Sequence, residues 1–522
     1  MSPAATALTV MVAIVAVGTA VGFLSGSRQQ MSLEEWAVGG RGFGTALVFL
    51  LMAGEIYTTF AFLGVSGWAY SRGGPVLYVL AYLSLAYTLS FFILPPLWEV
   101  GREHRMQTQP DFFNARYHNR YLAGFVCVVG ILAFIPYLQL QLDGVGIIVS
   151  TASFGHIGRV PAMAVATALV IAFVFANGVR AVAWVSVVKD LLMVIAAVAI
   201  GVGIPLVHFG GIGAMFAALA HARPQHLMMP GATGNLGHSW YISTVLLTVA
   251  GFYMWPHIFS ATFTAKSADT LRRNAVVMPL YTLTLALVFF AGFATVLILP
   301  HLQNGDLALL TVVGRTFPAW FFGVIGGAGA LTAMVPAAIL ILTAATLFAK
   351  NLYRPLFAPT MTDDGVARLA RAMVVLLGAT SFVLAIRGSS TLVSLLLTGY
   401  AMVTQCFPGV VLGLYWRRAT ASGVFMGMIV GVVTAVSLMS AHLDPVGGLN
   451  AGFVALCINF VVTIAGSLAT PARAAAPRNR VGADARDTRR TATSHPRGAT
   501  FGRAGTSRDL TARSADFRSP PS

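Results

Sequence analysis

Along the first 470 residues, apolar stretches of about twenty residues follow one another with only short polar interruptions, a pattern that water cannot host. They mark about thirteen candidate spans, near 5–24, 44–70, 75–100, 120–150, 160–177, 180–206, 240–263, 275–300, 318–349, 367–387, 391–415, 420–442 and 449–470. The runs are continuous rather than alternating, which favours helices over a membrane barrel. Charge agrees: only 10% of residues are charged and 57% are hydrophobic, whereas soluble domains carry roughly 25% charged residues. The expectation is an all-α polytopic membrane protein with no soluble domain. The three cysteines, Cys127, Cys406 and Cys457, lie in apolar runs without metal or disulfide spacing.

The position of the basic residues sets an orientation. With the N-terminus outside, sixteen Lys and Arg fall in inner loops and five in outer loops, counted before the tail. N-out, C-in topology follows. The first basic residue is Arg28, so the amino end lacks the basic lead of a signal peptide. Residues 471–522 hold eleven arginines and four aspartates in an Ala/Ser/Thr/Pro/Gly-rich background. This composition predicts a disordered basic cytoplasmic tail near anionic lipid, and it accounts for much of the +16 net charge without nucleic acid as a partner.

Ionisable residues inside a membrane are costly and mark cavities or pathways. Glu55, Asp143, Lys189 and Asp190 are such residues, each alternatively a structural ion pair. Glu55 sits in "MAGEIYTTF" (52–60), where Gly54, Thr58 and Thr59 read as a helix break. The seventh span carries a second interruption, "VAGFYMWPHIFSATFTAKS" (249–267), in which Gly251 and Pro256 bracket Phe252 and Trp255, with His257 following. The second break comes five spans after the first, and an odd offset reverses orientation. Paired broken helices in oppositely inserted units point to an inverted-repeat transporter, with Gly54, Gly251 and Pro256 at the breaks.

Four segments carry a resemblance to the sodium:solute symporter family: "LEEWAVGGRGFG" (33–44), "QPDFFNARY" (109–117), "RAVAWVSVVKD" (180–190) and "WPHIFSATFTAKS" (255–267). Within the family the chain looks most similar to the monocarboxylate-permease branch. The resemblance implies a LeuT-like fold in the inner membrane. Residues 1–43 would form a first helix and loop, 44–206 and 240–415 the two five-helix repeats, 207–239 an outer loop, and 416–470 two peripheral helices.

It also implies a cation site of the Gly54 and Tyr57 carbonyls facing Thr332, Val335 and Pro336. Valine and proline bring no side-chain oxygen to a hard cation; a shifted register would put Thr343 there instead. Lys189, three residues after Ser186 on one helical face, is therefore expected to take the sodium position with Glu55 as its partner. The coupling ion implied is then Na⁺ by the family or H⁺ by the altered site, or coupling is lost, and no other cofactor is implied. Gly54, Glu55, Tyr57, Gln141, Phe252, Trp255 and His257 are the candidate substrate contacts, although membrane aromatics also serve as packing. The function implied is secondary import of a small solute such as lactate, pyruvate or acetate. An amino acid or other solute is the alternative, and a transporter-like sensor a remote one. No HExxH, GxSxG or separate acid/base pair suggests an enzyme, and oligomeric state is not legible.

Overall fold

The computed structural model describes residues 2–25, 39–176, 179–388 and 390–471. Residues 472–522, nearly the whole expected tail, and 26–38, with Arg28 and the start of the first quoted motif, lie outside the described residues. Those described belong to one compact unit.

Helices form where the apolar runs predict them. In chain order they are α1 (Pro3–Ser25), α2 (Thr45–Gly54), α3 (Val65–Ser71), α4 (Tyr78–Glu103), α5 (Gln109–Tyr117), α6 (Arg120–Ala152) and α7 (Arg159–Ala176). Then come α8 (Val179–Phe209), α9 (Ile212–Ala222), α10 (His238–Phe252), α11 (Pro256–Thr262), α12 (Ala268–Thr282), α13 (Leu285–Ile298) and α14 (Ala308–Thr316). The last are α15 (Ala319–Thr346), α16 (Arg354–Phe357), α17 (Asp363–Arg387), α18 (Leu392–Val403), α19 (Phe407–Tyr415), α20 (Ala421–Ser440) and α21 (Ala451–Ala469).

By length and apolarity, ten helical stretches among the described residues can cross a membrane, or eleven when α10 and α11 count as one bent span. Two of the thirteen expected spans fall short of that measure. The 44–70 segment is split into α2 and α3, and α7 is short. The outer loop at 207–239 is also less irregular than its composition suggests, because it holds α9 and a 3₁₀ turn at Pro224–Leu227.

Local chemistry places the ends of several helices. Asn119 accepts from the N–H groups of Tyr121 and Leu122 at the start of α6, and Thr108 with Asp111 forms a capping box on α5. The molecule is organised around α15, 83% of whose span is buried, while α1 and α17 bury 22% and 28% of theirs and face outward. Around α15 lie α1, α6, α8 and α11 of the second broken span, and Phe62 of the first broken span reaches Gly329. On the side of the basic loops the two broken spans are tied by backbone. Phe43 N–H donates to Thr264 O and Lys266 N–H to Phe43 O, both at 3.0 Å. On the opposite side the Tyr70 hydroxyl donates to Leu299 O and accepts from Leu302 N–H, each at 2.9 Å.

Candidate functional site

α2 stops at Gly54, and regular helix resumes only with the π-helical turn Phe60–Gly64 that leads into α3. Between them the i→i−4 ladder is lost, so carbonyls that a continuous helix would use become available. Two of them are taken by one side chain. The Lys189 ammonium, from α8, donates to Gly54 O and, at 3.0 Å, to Tyr57 O. Lys189 is fully buried, and its neighbour Asp190 is 3.3 Å from the ammonium. A glycine at 54 permits this approach: a Cβ there would lie 2.9 Å from Ser186 Oγ and 3.5 Å from Lys189 Nζ.

The expected Lys189–Glu55 pairing is not what the structure contains. Asp190 is the carboxylate beside Lys189, while Glu55 turns to the second break, where its Oε2 is 3.0 Å from His257 Nε2. That second break bends the chain by 51° between α10 and α11. Pro256 starts α11 without needing a backbone donor. His257 is buried and Glu55 is half-buried with its side chain 6% exposed, and the pair is off the line of a hydrogen bond, leaving Glu55 Oε2 and both imidazole nitrogens without hydrogen-bond partners.

A central cavity with about 360 Å³ free of protein atoms lies between the breaks, lined among others by Glu55, Thr58, Tyr137, Phe252, Trp255 and Tyr400. Trp255 stacks parallel to Phe134 at 6.0 Å and meets Tyr137 at 4.9 Å and Tyr400 at 5.4 Å. Of the other candidate contacts, Tyr57 directs its ring elsewhere: its hydroxyl is 2.6 Å from Thr284 Oγ1 and its ring packs on Tyr281. Gln141 holds the first break, its Oε1 accepting from Thr59 Oγ1 at 2.5 Å. Gly251 packs against Thr404 and Tyr400 with no room for a Cβ.

On α15, Thr332 is buried with an unpartnered hydroxyl, Val335 lines a small apolar cavity with Val185 and Leu331, and Pro336 is buried in the helix interior. Thr343, from the shifted register, lines a different cavity with His257 and Ser260. Of the implied sodium site the structure shows two carbonyls bonded to an ammonium, a Thr332 hydroxyl without a partner, and no side-chain oxygen at 335 and 336. With Lys189 in this place the donor set does not fit a hard cation. Asp143 resolves as an ion pair with Arg159 at 2.7 Å.

Sequence reasoning missed the polar network at the basic side. Asp111 accepts from Lys350 Nζ at 2.8 Å and Asn351 Nδ2 at 2.7 Å, and from the backbone N–H of Gln107. Lys350 also donates to Gln107 Oε1 at 2.9 Å. Burial works to raise the Asp111 pKa, but the Lys350 charge and these hydrogen bonds together hold it below its ordinary value. The Thr108-x-x-Asp111 spacing was a legible capping signal; its long-range partners on the 347–353 turn carry no local signature.

Comparison with known proteins adds the following. The description of the sodium:solute symporter family matches residues 36–431. The Bacillus subtilis symporter YhjB, itself uncharacterised, is 43% identical over 89% of this chain and 97% of its own length. A monocarboxylate transport permease protein of Rhizobium johnstonii is 29% identical over 90% of this chain and 98% of its own. Among solved structures, a Na⁺-coupled sialic acid symporter in a substrate-bound outward-open state superposes with TM-score 0.76 at 19% identity, covering 91% of this chain and 99% of that one. Mhp1, a nucleobase-cation-symport-1 family transporter, gives 0.54 at 13% identity, covering 86% and 98%. These two likenesses establish a LeuT-like fold and nothing finer.

Proposed function

We propose that this chain, which belongs to the sodium:solute symporter family, imports a small monocarboxylate such as lactate, pyruvate or acetate together with a proton. As a family member it is a secondary symporter, integral to the membrane through many spans, that binds a small solute. The Rhizobium johnstonii relative supports the substrate class. The distribution of basic loops supports an N-out, C-in orientation in an inner membrane. Transport proceeds by alternating access between the repeats 44–206 and 240–415, around the two breaks.

The observation that carries the choice of proton over sodium is the ammonium of Lys189 on the Gly54 and Tyr57 carbonyls. With two carbonyls and Asp190 beside it, Lys189 acts as a fixed positive charge in place of Na⁺. A proton carried in with the acid anion keeps the buried site neutral, and Glu55 and His257, 3.0 Å apart, are the side chains there that can hold it.

A second reading, an amino acid substrate, is favoured by Glu55 itself, since a carboxylate in the cavity suits an amine. Counterflow of labelled lactate, pyruvate, acetate and alanine in proteoliposomes separates the two. The expected outcome is exchange of at least one acid and none of alanine. Exchange of alanine alone overturns the substrate assignment and leaves the family and fold as they are.

A further inference from the structure

Below the Glu55–His257 pair, toward the basic loops, lies a second, narrow cavity. Its polar lining comprises His257, Ser260 and Thr264 from the second broken span, Gln107 and Thr108 before α5, and Thr343 from α15. Ile339, Leu342 and Ala261 make the apolar wall. Two of the polar groups are nine-tenths buried and unpartnered: Ser260 Oγ, on a residue 8% exposed, and Nδ1 of His257, on a residue 2% exposed whose Nε2 faces Glu55. Natural interiors seldom leave a buried hydroxyl and imidazole without partners unless a ligand or water completes them.

The balance of donors differs between the two cavities. In the central one the charged side chain is Glu55. In the lower one, Gln107 Oε1 is already engaged by Lys350, so its amide N–H₂ is the end left for a ligand. Ser260 and Thr343 each bring a hydroxyl, and His257 a ring N–H. Thr108 and Thr264 donate elsewhere, to Asn351 Oδ1 and Ala261 O, and keep lone pairs only. Three or four convergent donors over an aliphatic wall match a short-chain carboxylate or 2-hydroxy or 2-keto acid: oxygens to the donors, hydrocarbon to Ile339 and Leu342. The Gln107–Lys350–Asp111 network closes the far end.

We propose that this lower cavity is a second binding site for the transported acid, a transit site occupied after the acid leaves the central cavity and before the Lys350–Asp111 closure parts. The proposal rests on the monocarboxylate reading. The acid leaves a central cavity whose charged side chain is the Glu55 carboxyl, and the donor-lined cavity beside His257 receives it. Ser260 touches the acid in this second site and has no part in the first.

The test is the binding stoichiometry of labelled pyruvate and lactate to the purified full chain in nanodiscs, with rates of downhill efflux from proteoliposomes. Wild type is expected to bind two acids per chain. Ser260→Ala removes one donor without filling space, and should weaken one of the two sites and slow efflux, each about fivefold, as the loss of one hydrogen bond to an anion does. Ser260→Leu fills the cavity, and should bind one acid with the remaining affinity within about twofold of wild type. One acid per wild-type chain, with efflux unchanged in Ser260→Ala, overturns the transit site alone. No binding of either acid by wild type overturns both this site and the monocarboxylate reading.

Discussion

At the scale of single residues, the site turns on how close two backbones come. Gly54 is both the end of α2 and the residue that lets Ser186 and Lys189 of α8 reach the break. In Gly54→Ala the added methyl lies 2.9 Å from Ser186 Oγ and 3.1 Å from its Cβ. Overpacking of this kind costs about 1–3 kcal/mol, and here it displaces the ammonium from its carbonyls. We expect counterflow to fall about tenfold, equivalent to roughly 1.4 kcal/mol, and Ser186→Gly in the same chain to restore it in part. Full activity of Gly54→Ala would contradict the contact. Gly54, Tyr57 and Lys189 were legible as neighbours only through the family resemblance, which implied the two carbonyls as cation ligands and Lys189 in the cation's place. The partner of Glu55 was not legible. His257 lies two hundred residues away, and the choice between Lys189 and His257 is made by which face of the unwound turn the carboxylate leaves, which periodicity does not encode.

At the scale of elements, the basic side is closed by α5 and the turn after α15 rather than by the broken helices alone. The lowered pKa of Asp111 fixes the sign of its contribution. A carboxylate with a depressed folded pKa stabilises fully above its unfolded value of about 3.9 and loses that stabilisation as pH falls through the lower folded value. Thermal melts of wild type and Asp111→Asn should therefore differ by a constant amount between pH 5 and pH 8, on the order of 1–3 kcal/mol for a hydrogen-bonded charge. The two curves should converge only below about pH 4. A gap that instead closes between pH 5 and 7 would mean that Asp111 is not held by Lys350. The motif "QPDFFNARY" carried a family resemblance in the sequence, and the structure makes it a helix capped by Thr108. What that helix locks onto depends on the 347–353 turn, where a π-helical stretch shifts Lys350 and Asn351 toward Asp111. Such a bulge leaves no mark in an apolar run.

At the scale of the whole molecule, hydropathy and charge gave the class, most of the spans and both breaks. They overcounted continuous spans where breaks shorten the helices, as at 44–70, and missed α9, whose alanine-rich face reads as loop among Gly, His and Pro. The orientation is testable without the transport assay. A cysteine at exposed Gln303 should react with an impermeant thiol reagent added outside intact cells, and one at exposed His118 only after permeabilisation. The reverse pattern would invert the topology. The central claim is that an ammonium replaces sodium and that a proton drives uptake. It is tested most directly by accumulation of labelled lactate or pyruvate in proteoliposomes under an inward pH gradient in sodium-free medium, against an inward Na⁺ gradient at equal pH. The account predicts concentrative uptake from the pH gradient alone, no gain from Na⁺, and loss of uptake in Lys189→Ala at any Na⁺ concentration. Uptake that requires Na⁺ and survives Lys189→Ala would contradict it.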